Sequence, residues 1–429
     1  MSIRLLVLGI SFIASSVVSA SAQTVEDAIF AALQHSPQIA LGEADTDAAR
    51  ATQFGALGEL LPSVSASVTA GNERWRSDEL ERLRAEDGVT YSLEFSQPVF
   101  QGGSAYFGLK DARASTQAQR LLERENRQLV AEAAATAHAA LMRDREIVSH
   151  RTRSLDLLMQ QVMITDQRRE AGAESLIAVS QARSRMEQER AELVRAEASL
   201  AVSAATYLRQ TGDLPGPVLV PDTKRIEDDM ISAADAIAQA FKSNPGLLAR
   251  DDLVSAAQHG QRSARGKIAP SLSLDGQYNA YDLDASAQTP GIEQEDNEFQ
   301  LVARLRVPLF QKGQNYSDIK SARARLAREN AARRDARLAV EEAVTANWNT
   351  LQSAAAAIEA AKAAVMASEI VVEGQQAEYE SGRTSIQDVL DGQRDLVLAR
   401  ISLSQAEFDY RRARYGLLAL VDRLAPAQG

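Results

Sequence analysis

The sequence predicts a mostly α-helical protein with a small β component, built from one large unit that occurs twice. The first observation is that four landmarks recur in the same order, 208 to 210 positions later. They are Ser36-Pro37 and Asn244-Pro245, Pro62-Ser63 and Pro270-Ser271, Pro98-Val99-Phe100 and Pro308-Leu309-Phe310, and Ala171-Gly172 and Ser381-Gly382. The second is that helical periodicity dominates both halves, whereas alternating apolar and polar residues occupy four short runs. Solenoid repeats are about 20–50 residues long, so we interpret this repeat as a duplicated, domain-sized unit.

Residues 1–22 are predicted to form a secretory signal peptide. Arg4 carries the positive charge, residues 5–18 form the apolar core, and Ala20-Ser21-Ala22 is a small-residue cleavage site before Gln23. A membrane anchor is the alternative, but glycine and serine interrupt this run, and it is shorter than the roughly 18 apolar residues of a spanning helix. No later segment is apolar enough for a transmembrane helix. We therefore expect an exported protein.

Each repeat is predicted to contain a short helix, a second helix, two strands, a very long helix, a turn and a returning helix. In the first repeat, residues 23–210, the strands are expected at about 62–72 and 89–100, and the long helices at about 104–171 and 175–210. In the second repeat, residues 230–429, they are expected at about 270–281 and 298–310, and at about 315–380 and 385–424. Polar loops are expected at 72–88 and 282–298, and a proline-rich linker at 211–229.

The four alternating runs predict strands with one apolar and one polar face. Tyr91, Leu93 and Phe95, for example, are separated by Ser92 and Glu94. Each run is about 9–11 residues long, which is the length of a tilted transmembrane strand. Taken alone, the runs are equally compatible with a half-buried hairpin of a soluble sheet. The export signal and the surrounding helices favour strands in a membrane.

The helix after the first pair of strands is unusually long. From Ser104 to about Ala171 the chain contains no proline, and no glycine after Gly108. More than 60 helical residues would extend about 100 Å at 1.5 Å per residue. Apolar residues, many of them alanine, recur every three to four positions and predict helix-on-helix packing.

Four strands per chain require that several chains associate. Membrane barrels have at least about 8 strands, and an open sheet edge is not tolerated in lipid. Two chains would give an 8-stranded barrel, which its own side chains fill, whereas three would give a 12-stranded barrel. The residues expected to face inward are small or polar and favour three chains: Ser63, Ser65, Ser67, Ser271, Ser273 and Gln300. The predicted fold is thus mostly α with membrane β, a trimeric 12-stranded β-barrel continuous with a long α-helical barrel.

Two segments are predicted to turn the chain from strand to helix. Pro98 ends one strand and precedes Gly102 and Gly103, and Pro308 ends another and precedes Gly313. Since about 100 Å of helix would emerge from an outer-membrane barrel, the helices are expected to project into the periplasm.

Composition excludes several other classes of protein. The chain has no cysteine, so it has neither disulfides nor a lipidated cysteine, and its formal net charge of −11 disfavours nucleic-acid binding. Four scattered histidines do not suggest a metal site, and no cofactor is expected. An enzyme is not expected either, because no nucleophile, base and orienting group occur together. A periplasmic adaptor, which also has long helical hairpins, is disfavoured by the duplicated membrane-length strands.

The mature chain resembles the TolC-type outer membrane efflux proteins, or outer membrane factors. The most specific marks are 98–103, 308–313 and 379–391. The resemblance implies a homotrimer in the outer membrane of a Gram-negative bacterium, in contact with its lipid, with the helical part in the periplasm. It implies a passive exit duct that docks to a periplasmic adaptor (membrane fusion) protein and an inner-membrane RND-type or ABC transporter. The outer-membrane component of a type I protein secretion system is the alternative.

The resemblance also implies a periplasmic entrance, or gate, at the turn of the second repeat. In the family, aspartates of this motif form rings, and here they are Asp388 and Asp391. They lie three residues apart in the first turn of the returning helix, where the helix dipole favours carboxylates. Acidic rings are typical of cation-selective pores, whereas helix capping is the alternative role. The equivalent positions of the first repeat are Ala178 and Gln181.

The closed state of the family is held by an arginine and a tyrosine of this turn, which bind an aspartate of the first-repeat turn. Tyr379 matches the tyrosine, but Thr384 occupies the arginine position, with Arg383 one place earlier, and Ala178 occupies the aspartate position. We therefore expect this lock to be absent or rebuilt, with Arg383 and Glu174 as a substitute pair. The residues expected to face the adaptor are Gly172, Glu174, Gly382 and Thr384.

Overall fold

The structure is a computed structural model that describes residues 23–77, 82–222, 232–283 and 297–426. The predicted signal peptide and part of the predicted linker lie outside these residues. The elements of the first half are α1 (Val25–His35), α2 (Pro37–Gly58), β1 (Ser63–Ser77), β2 (Arg82–Gln101), α3 (Ser104–Glu170) and α4 (Leu176–Thr211). Those of the second half are α5 (Ala233–Ser243), α6 (Pro245–Gly266), β3 (Ser271–Leu283), β4 (Asn297–Arg306), α7 (Gln314–Glu380) and α8 (Ile386–Leu420).

The short helices begin with the same local chemistry in both halves. Thr24 caps α1, because its hydroxyl accepts from the Asp27 backbone N–H at 3.2 Å while the Asp27 carboxylate accepts from the Thr24 N–H at 2.9 Å. Ser232 caps α5, accepting from the Asp235 N–H at 3.2 Å. Each short helix ends just before a proline that begins the next helix, since proline needs no N–H donor partner in the first turn.

The four strands form one antiparallel sheet in the order β1-β2-β3-β4. The central pair, β2 with β3, joins the two halves, and β1 and β4 are the edge strands within one chain. Apolar residues on both edge strands are exposed in the single chain, for example Val68 at 66% and Leu305 at 66%. The sheet of one chain therefore presents two open edges and an uncovered apolar face.

The strand bounds differ from the expected ones at two places. The expected loop 72–88 is mainly strand, because β1 runs to Ser77 and β2 begins at Arg82. Antiparallel pairing depends on backbone hydrogen bonds, so it continues after the apolar alternation has ended. Conversely, β4 ends at Arg306 and does not reach residue 310, since Arg306 lies opposite Ser271, where β3 begins.

The strand-to-helix turns of the two repeats differ in their packing. In the first turn, β2 stays paired with β3 through Pro98 by a register shift before Phe100. Gly102 then has a φ of 60°, and a Cβ there would lie 2.2 Å from the carbonyl oxygen of Gly266. In the second turn, Lys312 takes the corresponding left-handed conformation with a φ of 51°. Only the first turn therefore requires glycine for close packing.

The chain divides into two compact units. The turn unit contains the described residues of Met1–Ser36, Val130–Asp229 and Asn347–Gly416, and the sheet unit contains those of Pro37–Leu129, Met230–Ala346 and Leu417–Gly429. Alanines of α3 are fully buried in the turn unit, and small side chains of this kind permit close helix packing: Ala131, Ala134, Ala135 and Ala139. Among the described helices, none combines the length and apolarity needed to span a bilayer.

Candidate functional site

The candidate site lies in the turn unit, at the two turns that join long and returning helices. Gly172 and Gly382 end α3 and α7 with φ values of 75° and 73°. The hydrogen bonds match, because the Gly172 N–H donates to Arg169 O at 2.9 Å and the Gly382 N–H donates to Tyr379 O at 3.0 Å. Both turns thus have the same glycine-dependent helix ending, and they differ in the side chains that they carry.

Asp388 caps the first turn of α8. Its Oδ2 atom accepts hydrogen bonds from the Ser385 backbone N–H at 3.1 Å and from the Thr384 hydroxyl at 2.8 Å. The Ser385 hydroxyl accepts in return from the Asp388 N–H at 3.3 Å. The hydrogen bonds of Ser385 and Thr384 lower the pKa of the Asp388 carboxyl. Within one chain, the contacts of Asp388 are therefore those of helix capping, the alternative role that the sequence left open.

Asp391 is paired with an arginine that the sequence reasoning missed. The Arg185 Nη2 atom of α4 donates to Asp391 Oδ1 of α8 at 2.7 Å, and the two side chains are 31% and 46% exposed. Beside this pair, the Gln181 amide donates to Gln387 Oε1 at 3.1 Å. Arg185 follows Gln181 by four residues and shares its helix face. That spacing was the available signal, since Gln181 is the repeat equivalent of Asp391.

Tyr379 joins the two turns. Its side chain is 2% exposed, and its hydroxyl donates to Glu174 Oε1 at 3.0 Å. The Arg168 guanidinium lies 4.5 Å from the centre of the Tyr379 ring and donates to the Tyr379 carbonyl oxygen at 3.3 Å. Burial raises the pKa of the Tyr379 phenol. The hydroxyl is therefore protonated at physiological pH and can donate to Glu174.

The expected pair of Arg383 with Glu174 is not formed. Glu174 is bound by Tyr379, and among the described contacts none joins it to Arg383, which is exposed beyond Gly382. The reason is that the helix ending carries the chain outward after Tyr379, the last buried residue before the turn. Tyr379, and not Arg383, is therefore the residue of the second-repeat turn that contacts Glu174.

An apolar cluster lies under these polar contacts. It contains Leu158, Ala178, Ala182, Tyr379, Ile386, Val389 and Leu390. Ala178, which stands where the family lock has an aspartate, is only 6% exposed in this cluster. A carboxylate at this position would lose most of its hydration without a defined partner. The carboxylate that accepts the hydrogen bond of Tyr379 is instead that of Glu174, four residues before Ala178.

We refer to the polar contacts between the two helix hairpins as the turn contacts. They are Arg185–Asp391, Gln181–Gln387, Tyr379–Glu174 and Arg168 with the Tyr379 carbonyl. They hold α4 against α8 and the first turn against the end of α7. Within the described residues, no group of histidine, aspartate and glutamate side chains could hold a metal ion.

The fold and this site define a class of protein. A four-stranded sheet with open edges, joined to helices of 67 residues that return through paired turns, is the subunit of an outer-membrane channel. The outer membrane efflux protein family matches residues 28–212 and again residues 236–422. The chain belongs to this family.

Curated and solved relatives agree with this assignment. The outer membrane protein TolC of Vibrio cholerae is 29% identical over 416 residues, with 92% of this chain and 91% of TolC covered. The outer membrane efflux protein BepC of Brucella suis is 26% identical over 339 residues, with 79% and 73% covered. The crystal structure of the outer membrane protein VceC of Vibrio cholerae aligns with a TM-score of 0.81 at 17% identity, with 93% of this chain and 96% of VceC covered.

These comparisons confirm the main predictions from the sequence. The family resemblance, the fold class and the outer-membrane location are confirmed, and trimeric barrels are known for this fold. The chain is an outer-membrane efflux duct with a periplasmic helical part. The alternative of type I protein secretion is not favoured.

Proposed function

We propose that three copies of this chain form the passive exit duct of a tripartite efflux system. The observation that carries the proposal is the open sheet, because β1 and β4 are unpaired edges within one chain and bear exposed apolar residues. An open edge is not tolerated in lipid. Three sheets joined edge to edge would close a 12-stranded barrel.

Disulfide cross-linking tests this assembly. Because the natural sequence contains no cysteine, every disulfide must come from the introduced residues. Ser67→Cys in β1 is combined with a single cysteine at successive positions 299–304 of β4. We expect disulfide-linked dimers and trimers in outer-membrane extracts at one or two of these positions. Ser67→Cys with Ser92→Cys is the matched control, since these residues are register partners within one chain and would give monomers. If no β4 position gives intermolecular products, the shared barrel is wrong.

The duct is proposed to work with a periplasmic adaptor and an inner-membrane RND-type or ABC transporter that supplies the energy. The helix turns are the proposed docking region. Leu176 and Ile177, in the first turn of α4, are 69% and 70% exposed and lie beside Gly172 and Glu174. An apolar pair at a helix tip suits a protein partner. Photo-cross-linkers at Leu176 should capture the adaptor in cells, whereas the same group at the exposed Leu338 of α7 should not.

The turn contacts are proposed to keep the entrance closed. Arg185–Asp391 and Tyr379–Glu174 would replace the family lock that Ala178 and Thr384 cannot provide. This proposal changes the expected electrostatics, because three Arg185 side chains would offset the charge of three Asp391 carboxylates. Asp388 would then supply the uncompensated acidic ring.

Ion selectivity in planar bilayers tests this arrangement. We expect a cation preference that Asp388→Ala with Asp391→Ala weakens and that Arg185→Ala strengthens. Unchanged selectivity in both variants would contradict the proposed acidic ring.

A further inference from the structure

Gln23, which directly follows the predicted cleavage site, is bound along the inter-repeat linker. Its backbone N–H donates to Val218 O at 3.0 Å, and its carbonyl oxygen accepts from the Val220 N–H at 2.9 Å. The two segments form a parallel bridge between Gln23 and Leu219. The Gln23 backbone is thus part of a miniature sheet with the linker.

The Gln23 side chain occupies a site of its own. Its Oε1 atom accepts from the Gly216 N–H at 2.7 Å and from the Tyr207 hydroxyl at 3.4 Å. His138 Nε2 lies 3.2 Å from the Gln23 carbonyl oxygen. Tyr207 of α4 and His138 of α3 are each 1% exposed. A Cβ at Gly216 would lie 3.2 Å from the Gln23 side-chain amide. The Gln23 side chain can therefore approach the linker backbone closely because residue 216 is glycine.

A further side-chain contact holds the linker near this site, because Arg145 Nη1 donates to the Pro217 carbonyl oxygen at 3.2 Å. Pro215, Pro217 and Pro221 carry no N–H, so its backbone donors are scarce. Gln23 accepts from two of them, at Gly216 and Val220. At the far end of the linker, Asp222 pairs with Arg414 of α8, and both side chains are nearly buried. Gln23 and Arg145 therefore hold one stretch of the described linker, and Arg414 holds its end.

We propose that Gln23 is the first residue of the mature protein and that this site receives the new N terminus after processing. Hydrolysis of the Ala22–Gln23 peptide bond leaves a carboxylate on Ala22 and an ammonium group on Gln23. The ammonium retains a proton donor for Val218 O. Export thereby releases the residue that fastens the linker between the repeats. The inference rests on the proposed outer-membrane duct, because such a duct must be exported.

The test combines intact mass spectrometry with hydrogen exchange at single-amide resolution on protein from outer membranes. We expect the mature chain to begin at Gln23. Gln23→Ala should make the Gly216 amide exchange about tenfold faster, since its acceptor is lost. The Val220 amide is the internal control, because it donates to the backbone of Gln23. Gln23→Glu retains the acceptor and should restore protection, and Gln34→Ala, on an exposed site of α1, should change nothing.

Two results would overturn the proposal. One is a mature chain that begins at another residue, and the other is the same Gly216 exchange in Gln23→Ala as in the natural protein. Failure of the proposed duct is distinguishable, because the intermolecular cross-links between β1 and β4 would then be absent while the mature chain still began at Gln23.

Discussion

Removal of Arg185 is the most direct test of the turn contacts. Arg185→Ala deletes the only described ion pair between α4 and α8, while leaving the apolar cluster beneath it intact. In the proposed trimer the change removes three such pairs from the closed entrance. We therefore expect the entrance to open more often.

The expected magnitude follows from the exposure of the pair. Its N···O distance is 2.7 Å, but the side chains are 31% and 46% exposed, so each pair contributes about 0.2–1 kcal/mol. Three pairs give roughly 0.6–3 kcal/mol if they act independently. Since 1.4 kcal/mol is about tenfold in an equilibrium constant, the ratio of open to closed channels should rise about 3- to 150-fold.

Single-channel recording in planar bilayers measures this ratio. Arg190→Ala is the matched control, because Arg190 lies on the same helix and, within the described part of the chain, its ion pair is with Glu187 of that helix, at 2.9 Å. Asp391→Ala and the double variant complete a double-mutant cycle. If Arg185→Ala and Arg190→Ala have equal effects, or if the cycle shows no coupling, the pair does not hold the entrance.

Three other predictions concern the turn unit. Tyr379→Phe removes the hydroxyl but keeps the ring, and should favour opening by about 1–2 kcal/mol per chain, measured by the same recordings; no change would exclude the Glu174 contact as a tie. Asp388→Ala alone should fray the start of α8, since its cap is lost, whereas Asp388→Asn should retain part of the protection in hydrogen exchange. Burial lowers the pKa of His138, and the nearby charges of Arg411 and Arg145 lower it further. The hydrogen bond with the Gln23 backbone and the charge of Glu26 act in the opposite direction and raise this pKa. The folded protein thus binds fewer protons there, so stability present above the unfolded pKa of about 6.5 should be lost as pH falls below it. His138→Gln should flatten that loss in thermal unfolding between pH 8 and 5, and an equal slope would contradict it.

Much of the helical framework could be predicted because its signals are local. The absence of proline, and of glycine after Gly108, predicted α3 at about 104–171, and the helix spans Ser104–Glu170. The paired glycines Gly172 and Gly382 predicted both turns, since only a residue that tolerates positive φ ends a helix in this way.

The sheet was less predictable, because strand bounds depend on partners that are distant in the chain. The polar residues after Gly71 carry no alternation, yet β1 continues to Ser77 because β2 lies beside it. Residues 307–310 look like the end of a strand, but β3 begins opposite Arg306, so no neighbour within the chain pairs with them.

The sequence by itself determined the duplicated architecture, the strand and helix order and the family of this protein, because those features follow from local chemistry repeated at a constant spacing. Only the tertiary structure decided which side chains meet at the turns. Arg185 and Asp391 are 206 positions apart, and Glu174 and Tyr379 are 205 positions apart. Packing brings the two repeats side by side, and the pairing of their charges is a property of that packing.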